Sequence, residues 1–250
     1  MAISPRVLSV VGFMTKPRGP LVKWWIWIVV LLVAFLAAFY VRYWSALTSL
    51  PTRVHNRILA HHSIPVSLNQ VSPWFTKALI ATEDRSFYRN WGISFEGIGR
   101  ALVVDIETES FAQGGSTITQ QLIRDLLLSP HKTIPRKVTG TLLALMTTLL
   151  YSKQEILTMY INEVYLGHNS YGVGRAAQTY FGRSAQNLSP AQATLLAGLP
   201  QAPSALNPDN HYHQAKTRQW EVLDSMVSDR LITLPTAHHI FSAPLNLVGS

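Results

Sequence analysis

The sequence predicts an all-α domain carried behind one apolar N-terminal helix. Three observations support this: an uncharged apolar run from Trp24 to Val41, helix-starting residues that recur from Val71 onward, and almost no strand-like alternation.

The run "WWIWIVVLLVAFLAAFYV" is about 18 residues long, enough to cross a bilayer. Trp24, Trp25 and Trp27 flank one end, and Phe39, Tyr40, Tyr43 and Trp44 the other, as interfacial aromatic belts do. Lys16, Arg18 and Lys23 precede it, so the positive-inside rule keeps the N-terminus in the cytoplasm. A cleaved signal peptide would have a shorter apolar region, about 7–15 residues. The expected organisation is a cytoplasmic segment (1–23), a membrane anchor (24–44), a juxtamembrane stalk (45–65) and one extracytoplasmic domain (66–245).

The chain carries 21 Lys+Arg against 13 Asp+Glu, a net charge of +8. Arg6, Lys16, Arg18, Lys23 and Arg42 account for five of these charges, and no acid lies before residue 44, so the remainder is only +3. With no basic stripe of interleaved aromatics after residue 50, nucleic-acid binding is excluded. Cysteine is absent, which removes disulfides and thiolate metal sites.

The helix starts follow from capping chemistry. Ser72-Pro73 places an N-cap before a proline at the first helical position. Thr117/Gln120, Ser152/Glu155 and Ser189/Gln192 have capping-box spacing, and Pro135 opens "IPRKVTGTLLALMTTLLY". Gly167 is the expected stop of the helix begun at Ser152. A last long helix runs through "AKTRQWEVLDSMVSDRL", with Trp220, Leu223, Val227 and Leu231 as its apolar face. The extracytoplasmic count is about six to nine helices, and "SIPVSLNQ" suits a short extended piece.

Three features carry chemistry. In "KALIATEDRSFYRNWG", Glu83 falls on the apolar row of Phe75, Leu79 and Phe87, whereas Asp84 turns about a quarter-turn away. An inward carboxylate is costly unless paired or neutralised, and its shifted pKa suits proton transfer. The plain alternative is a solvated helix end. In "QGGSTITQQLIRD", from Gln113, two glycines precede a capped helix whose hydroxyls and amides suit a hydroxyl-rich or anionic ligand. Arg124, Lys132, Arg136 and Lys137 then gather cations suited to a diphosphate, or form a solvated basic face.

With these residues in view, the chain resembles the peptidoglycan glycosyltransferase family, the lysozyme-like domain of class A penicillin-binding proteins and monofunctional transglycosylases. "ATEDRSFYRNWG" resembles its first motif, Glu-Asp-x-x-Phe-x-x-His-x-Gly, and "GGSTITQQL" is its second unchanged. "RKVTG" stands at the third, Arg-Lys-x-x-Glu. "SKQEILTMYINEVYLG" and "LLAGLPQAPSALNP" resemble the fourth and fifth, and the likeness spans about residues 66–245.

The resemblance implies a lysozyme-like fold and polymerisation of lipid II into β-1,4 glycan at the outer face of the cytoplasmic membrane, with inversion. Glu83 would be the general base, with Asp84, Asn90 and Gly140 in supporting positions. Gly115, Ser116, Thr117, Thr119, Gln120, Gln121 and Asn162 would bind substrate, and Arg124, Arg136 and Lys137 would steady the diphosphate. The implied partners are lipid II, the nascent glycan, the membrane and other wall-synthesis proteins. No cofactor is required, although a divalent cation, Mg or Mn, is compatible. The enzyme would be monofunctional, without a transpeptidase.

Three departures stand out. Gly140 occupies the third motif's carboxylate position, and Asn90 that of the first motif's His; Thr147, Thr148, Leu149 and Leu150 also replace a pattern that carries charge in relatives. Three readings therefore stay open: an active polymerase, a degenerate member that binds lipid II or glycan or scaffolds other enzymes, and a glycan-cleaving enzyme. The basic cluster argues against the last, because neutral glycosidic links need no diphosphate site.

Overall fold

The structure, a computed structural model, describes residues 21–94, 97, 115–131 and 133–248, with the side chains of 21–23 excepted. Residues 1–20 of the expected cytoplasmic segment, together with Gln113, Gly114 and Lys132, lie outside the described residues. The chain forms two units, one ending at Trp44 and one running from Ser45 onward. In the first, helix α1 (Leu21–Thr48) begins. Its Trp24–Thr48 stretch has a mean hydropathy of 2.5 and no buried share, long and apolar enough to cross a membrane.

The second unit is helical. Its described helices are α2 (Leu50–Ala60), α3 (Pro73–Glu83), α4 (Ile118–Leu127), α5 (Ile134–Leu150), α6 (Lys153–Glu163), α7 (Val173–Phe181), α8 (Pro190–Gly198), α9 (Tyr212–Ser228) and α10 (Leu234–Ser242). The described residues form no strand, only an isolated bridge between Tyr165 and Tyr171.

The capping boxes at Thr117, Ser152 and Ser189 all form, each hydroxyl accepting from the backbone three residues on. At Ser72 the proline starts α3 but the hydroxyl makes no cap. The α6 helix stops at Glu163 rather than Gly167, since Val164 already leaves helical geometry. Gly167 instead makes a turn at φ +82°, where a Cβ would come within 2.6 Å of the Pro203 carbonyl.

The core trio is α3, α8 and α9. Residues 191–198 of α8 are all buried, the pattern of a helix apolar on every side. Gly198 lets α9 approach, because a Cβ there would lie 2.9 Å from Arg218 Cγ. The buried Gln219 is satisfied across this contact, donating to the Ala191 carbonyl at 2.9 Å and Thr194 Oγ1 at 3.0 Å. The inward face of α9 is Ala215, Gln219, Val222, Leu223 and Met226, rotated from the expected one. Trp220 turns instead onto His238 and Phe241 of α10, a helix the sequence reading did not place. A second group packs α4 against α5 and α6, with α2 on α6.

Residues 45–65 are not a free stalk. Leu47, Leu50 and Val54 are buried, and the Tyr151 hydroxyl donates to the Leu47 carbonyl at 2.9 Å. Arg57 of α2 pairs with Glu163 and donates to the Asp125 carbonyl at 2.6 Å. The "SIPVSLNQ" piece ends in a 3-10 turn, Leu68–Gln70.

Candidate active site

Glu83 is the last residue of α3, with its side chain 12% exposed. Three elements meet on it. From α4, Gln121 Nε2 donates to Oε2 at 2.7 Å, and Gln121 Oε1 accepts from the buried Tyr160 hydroxyl of α6 at 2.9 Å. From α9, Arg218 stands 3.6 Å from Oε1. Burial raises the Glu83 carboxyl above its ordinary value; Gln121, Arg218 and Arg124 pull it back, and Asp84 adds to the rise.

Asp84, expected a quarter-turn from Glu83 in a supporting position, points into the protein. The helix ends at Glu83, and Asp84 leaves it at φ −159°, ψ 72°, so helical spacing no longer places the side chain. It is buried, with Oδ2 accepting from the Ile118 backbone at 3.1 Å and Oδ1 from Asn90 Nδ2 at 2.8 Å and Ser86 Oγ at 3.2 Å. Its pKa is raised by burial, against those hydrogen bonds. The carboxylate thus anchors the start of α4, where free N–H groups favour an anion. Phe87, expected on the helical row, is buried in the following turn.

The glycine-rich segment divides its labour. Gly115 and the exposed Ser116 border a depression that Glu83, Asp84 and Arg85 also line. Thr117 is spent: its hydroxyl donates to the Gly92 carbonyl at 2.7 Å and accepts from the Gln120 backbone. Half-buried Gln120 closes the capping box and donates to Thr141 Oγ1 at 3.2 Å.

Three expected substrate contacts are corrected. Thr119 is fully buried, and its hydroxyl has no partner among the described residues, so it presents nothing to a ligand. Asn162 is also buried; its amide clamps both the N–H and the carbonyl of Val66, at 2.8 Å and 2.7 Å. Gln121, expected on sugars, holds Glu83.

The cations sit at two helix ends. Arg124 Nε pairs with Asp125 at 2.8 Å and stays half exposed. Arg136 and exposed Lys137 lie in the first turn of α5, which contains no acid. Arg136 Nε is buried without a partner among the described residues. Gly140 is buried one turn later, where a Cβ would lie 3.0 Å from Leu128 Cδ1. Among the described residues no group of three or more His, Cys, Asp or Glu is placed to hold a metal ion.

A profile described as "Transglycosylase" matches residues 52–227. The chain belongs to the transglycosylase family. It is 45% identical over 170 residues to penicillin-binding protein 1A of Escherichia coli (strain K12), covering 68% of this chain and 20% of that protein. The Vibrio cholerae protein of the same name is 44% identical over 170 residues, covering 68% and 21%. The chain therefore spans about a fifth of the length of these relatives. The crystal structure of penicillin-binding protein 1A from Haemophilus influenzae aligns with 74% of this chain and 18% of that one, at 26% identity and a TM-score of 0.45. The transglycosylase match begins inside α2, the helix that sequence reading had assigned to a stalk. Reading by motif also passed over Arg218 and Tyr160. Arg218 belongs to none of the five motifs, and as one of several charges on α9, beside Lys216, Glu221 and Asp224, it carries no signal in the sequence.

Proposed function

We propose that this chain polymerises lipid II into glycan, with Glu83 as general base. The observation that carries the reading is the desolvated Glu83 carboxylate, held by Gln121 from the "GGSTITQQL" segment. The acceptor's 4-hydroxyl attacks the anomeric carbon of the donor, the carbon–oxygen bond to undecaprenyl diphosphate breaks, and the hydroxyl proton passes to Glu83. Protein cations stabilise the charge that grows on the departing diphosphate. Arg136 and Lys137 suit that role because two cations at a helix N-terminus are unfavourable unless an anion joins them. Ser116, Gly115 and Gln120 face the sugars. The apolar α1 helix holds the domain at the outer face of the cytoplasmic membrane, where the substrate's lipid tail resides.

A second reading, binding of lipid II without turnover, is favoured by Gly140, which supplies no carboxylate to the third motif. The test is to incubate the detergent-solubilised full chain with lipid II and follow glycan. Long glycan supports the polymerase; lipid II bound but unconsumed supports the second reading; fragments released from preformed wall would overturn both.

A further inference from the structure

We propose that Asn90, which stands where the family's first motif has His, is a positioning residue that ties Lys153 to Asp84 and so sets the start of α4 behind Glu83. All of its hydrogen-bonding capacity is in use. Nδ2 donates to Asp84 Oδ1 at 2.8 Å and Ser86 Oγ at 3.1 Å. Oδ1 accepts from Lys153 Nζ at 2.9 Å and from the Gly92 backbone at 2.9 Å. A primary amide offers two donors and two acceptor lone pairs, which matches this set.

The connection runs onward to the reacting group. Asp84 holds the Ile118 N–H at the first residue of α4, and one turn along α4 Gln121 reaches Glu83. Lys153, the first residue of α6, also lies 4.8 Å over the Phe87 ring, which fixes the other end. The charged groups bonded to Asn90 are thus Asp84, beside the end of α3, and Lys153 from α6. A neutral imidazole at position 90 has one donor and one acceptor, enough for Asp84 and Lys153 but not for Ser86 and Gly92 as well. An imidazolium has two donors and no acceptor, and it would face the Lys153 ammonium. The amide therefore keeps at every pH a link that an imidazole makes only when neutral.

This inference rests on the transfer reaction proposed above, and its test separates the two. Lipid II turnover is measured on the full chain, on Asn90→Ala, Asn90→His and Lys153→Met, and on the Asn90→Ala/Lys153→Met double variant. Asn90→Ala should lower kcat about tenfold with KM nearly unchanged, and the double variant should be no worse, because the two residues share one path. Asn90→His should keep most of kcat above pH ~8 and fall towards the Asn90→Ala value as the pH drops below ~6.5, more steeply than the parent. Parent-like kcat in Asn90→Ala, a loss confined to KM, or an Asn90→His profile that tracks the parent would overturn the proposal. If the parent does not consume lipid II, the transfer reading fails on its own. Amide hydrogen exchange at Ile118–Gln121 then decides: faster exchange in Asn90→Ala supports the link, and unchanged exchange overturns it.

Discussion

Gln121 bridges Tyr160 and Glu83, accepting from the tyrosine hydroxyl at 2.9 Å and donating to the carboxylate at 2.7 Å. Burial holds the Tyr160 hydroxyl far above its ordinary pKa, so it remains a donor. The relay fixes Glu83 Oε2; in the proposed mechanism Oε1, 3.6 Å from Arg218, is the oxygen that takes the proton. Tyr160→Phe removes one donor and leaves Gln121 Oε1 buried and unpaired, at a cost of about 1–3 kcal/mol. Thermal unfolding of the full chain should show this loss, together with a lower transfer rate.

The pH dependence of transfer follows from the same carboxylate. A base must be ionised, and the Glu83 pKa is raised above 4.5, so the rate should fall as the pH drops through a value higher than that of a free Glu. The Arg218 charge pulls this pKa down, so Arg218→Gln should move the acidic limb to still higher pH. The rate profiles of parent and variant, measured together, check the sign.

Gly140 and Arg136 make a paired prediction. A side chain at position 140 meets the flexible tip of Leu128 at 3.0 Å, which must give by a few tenths of an ångström. A carboxylate there is one turn from Arg136, whose buried Nε has no partner among the described residues, a spacing at which opposite charges meet. Gly140→Glu should therefore raise the rate of lipid II polymerisation, whereas the uncharged Gly140→Gln should not. Equal rates in the two variants would show that the missing charge is not limiting.

Stability should carry the mark of Glu163. Burial raises its pKa from 4.5 to about 7, even with Arg57 against it. The folded state then holds the proton more tightly than the unfolded chain does. The stabilisation is fully present below 4.5 and is lost as the pH rises through about 7. Melting temperatures across this window should decline in the parent and flatten in Glu163→Gln.

Local chemistry was legible in the sequence, and long-range pairing was not. Thr117, Ser152 and Ser189 cap as their spacing predicts because a capping box closes within one helical turn. The inward placement of Glu83 followed from the apolar row of α3. The partners of Asp84 were not legible, because the helix ends at Glu83 and helical spacing says nothing beyond a helix end. Asn162 and Thr119 looked polar and available, yet their burial depends on residues far away in sequence, such as Val66 for Asn162. Arg57 and Glu163 are separated by 106 positions, so no local pattern shows that α2 docks on the domain. The face of α9 was misread because α10, which covers Trp220, was not foreseen.

The central claim is that Glu83 takes the proton of the attacking hydroxyl. Its most direct test is lipid II turnover by the full chain beside Glu83→Gln, with matched unfolding curves to exclude misfolding. Glycan from the parent and a loss of roughly 10²–10⁴ in rate for the variant is the predicted result. Equal turnover by the two proteins would contradict it and move the search for the base elsewhere.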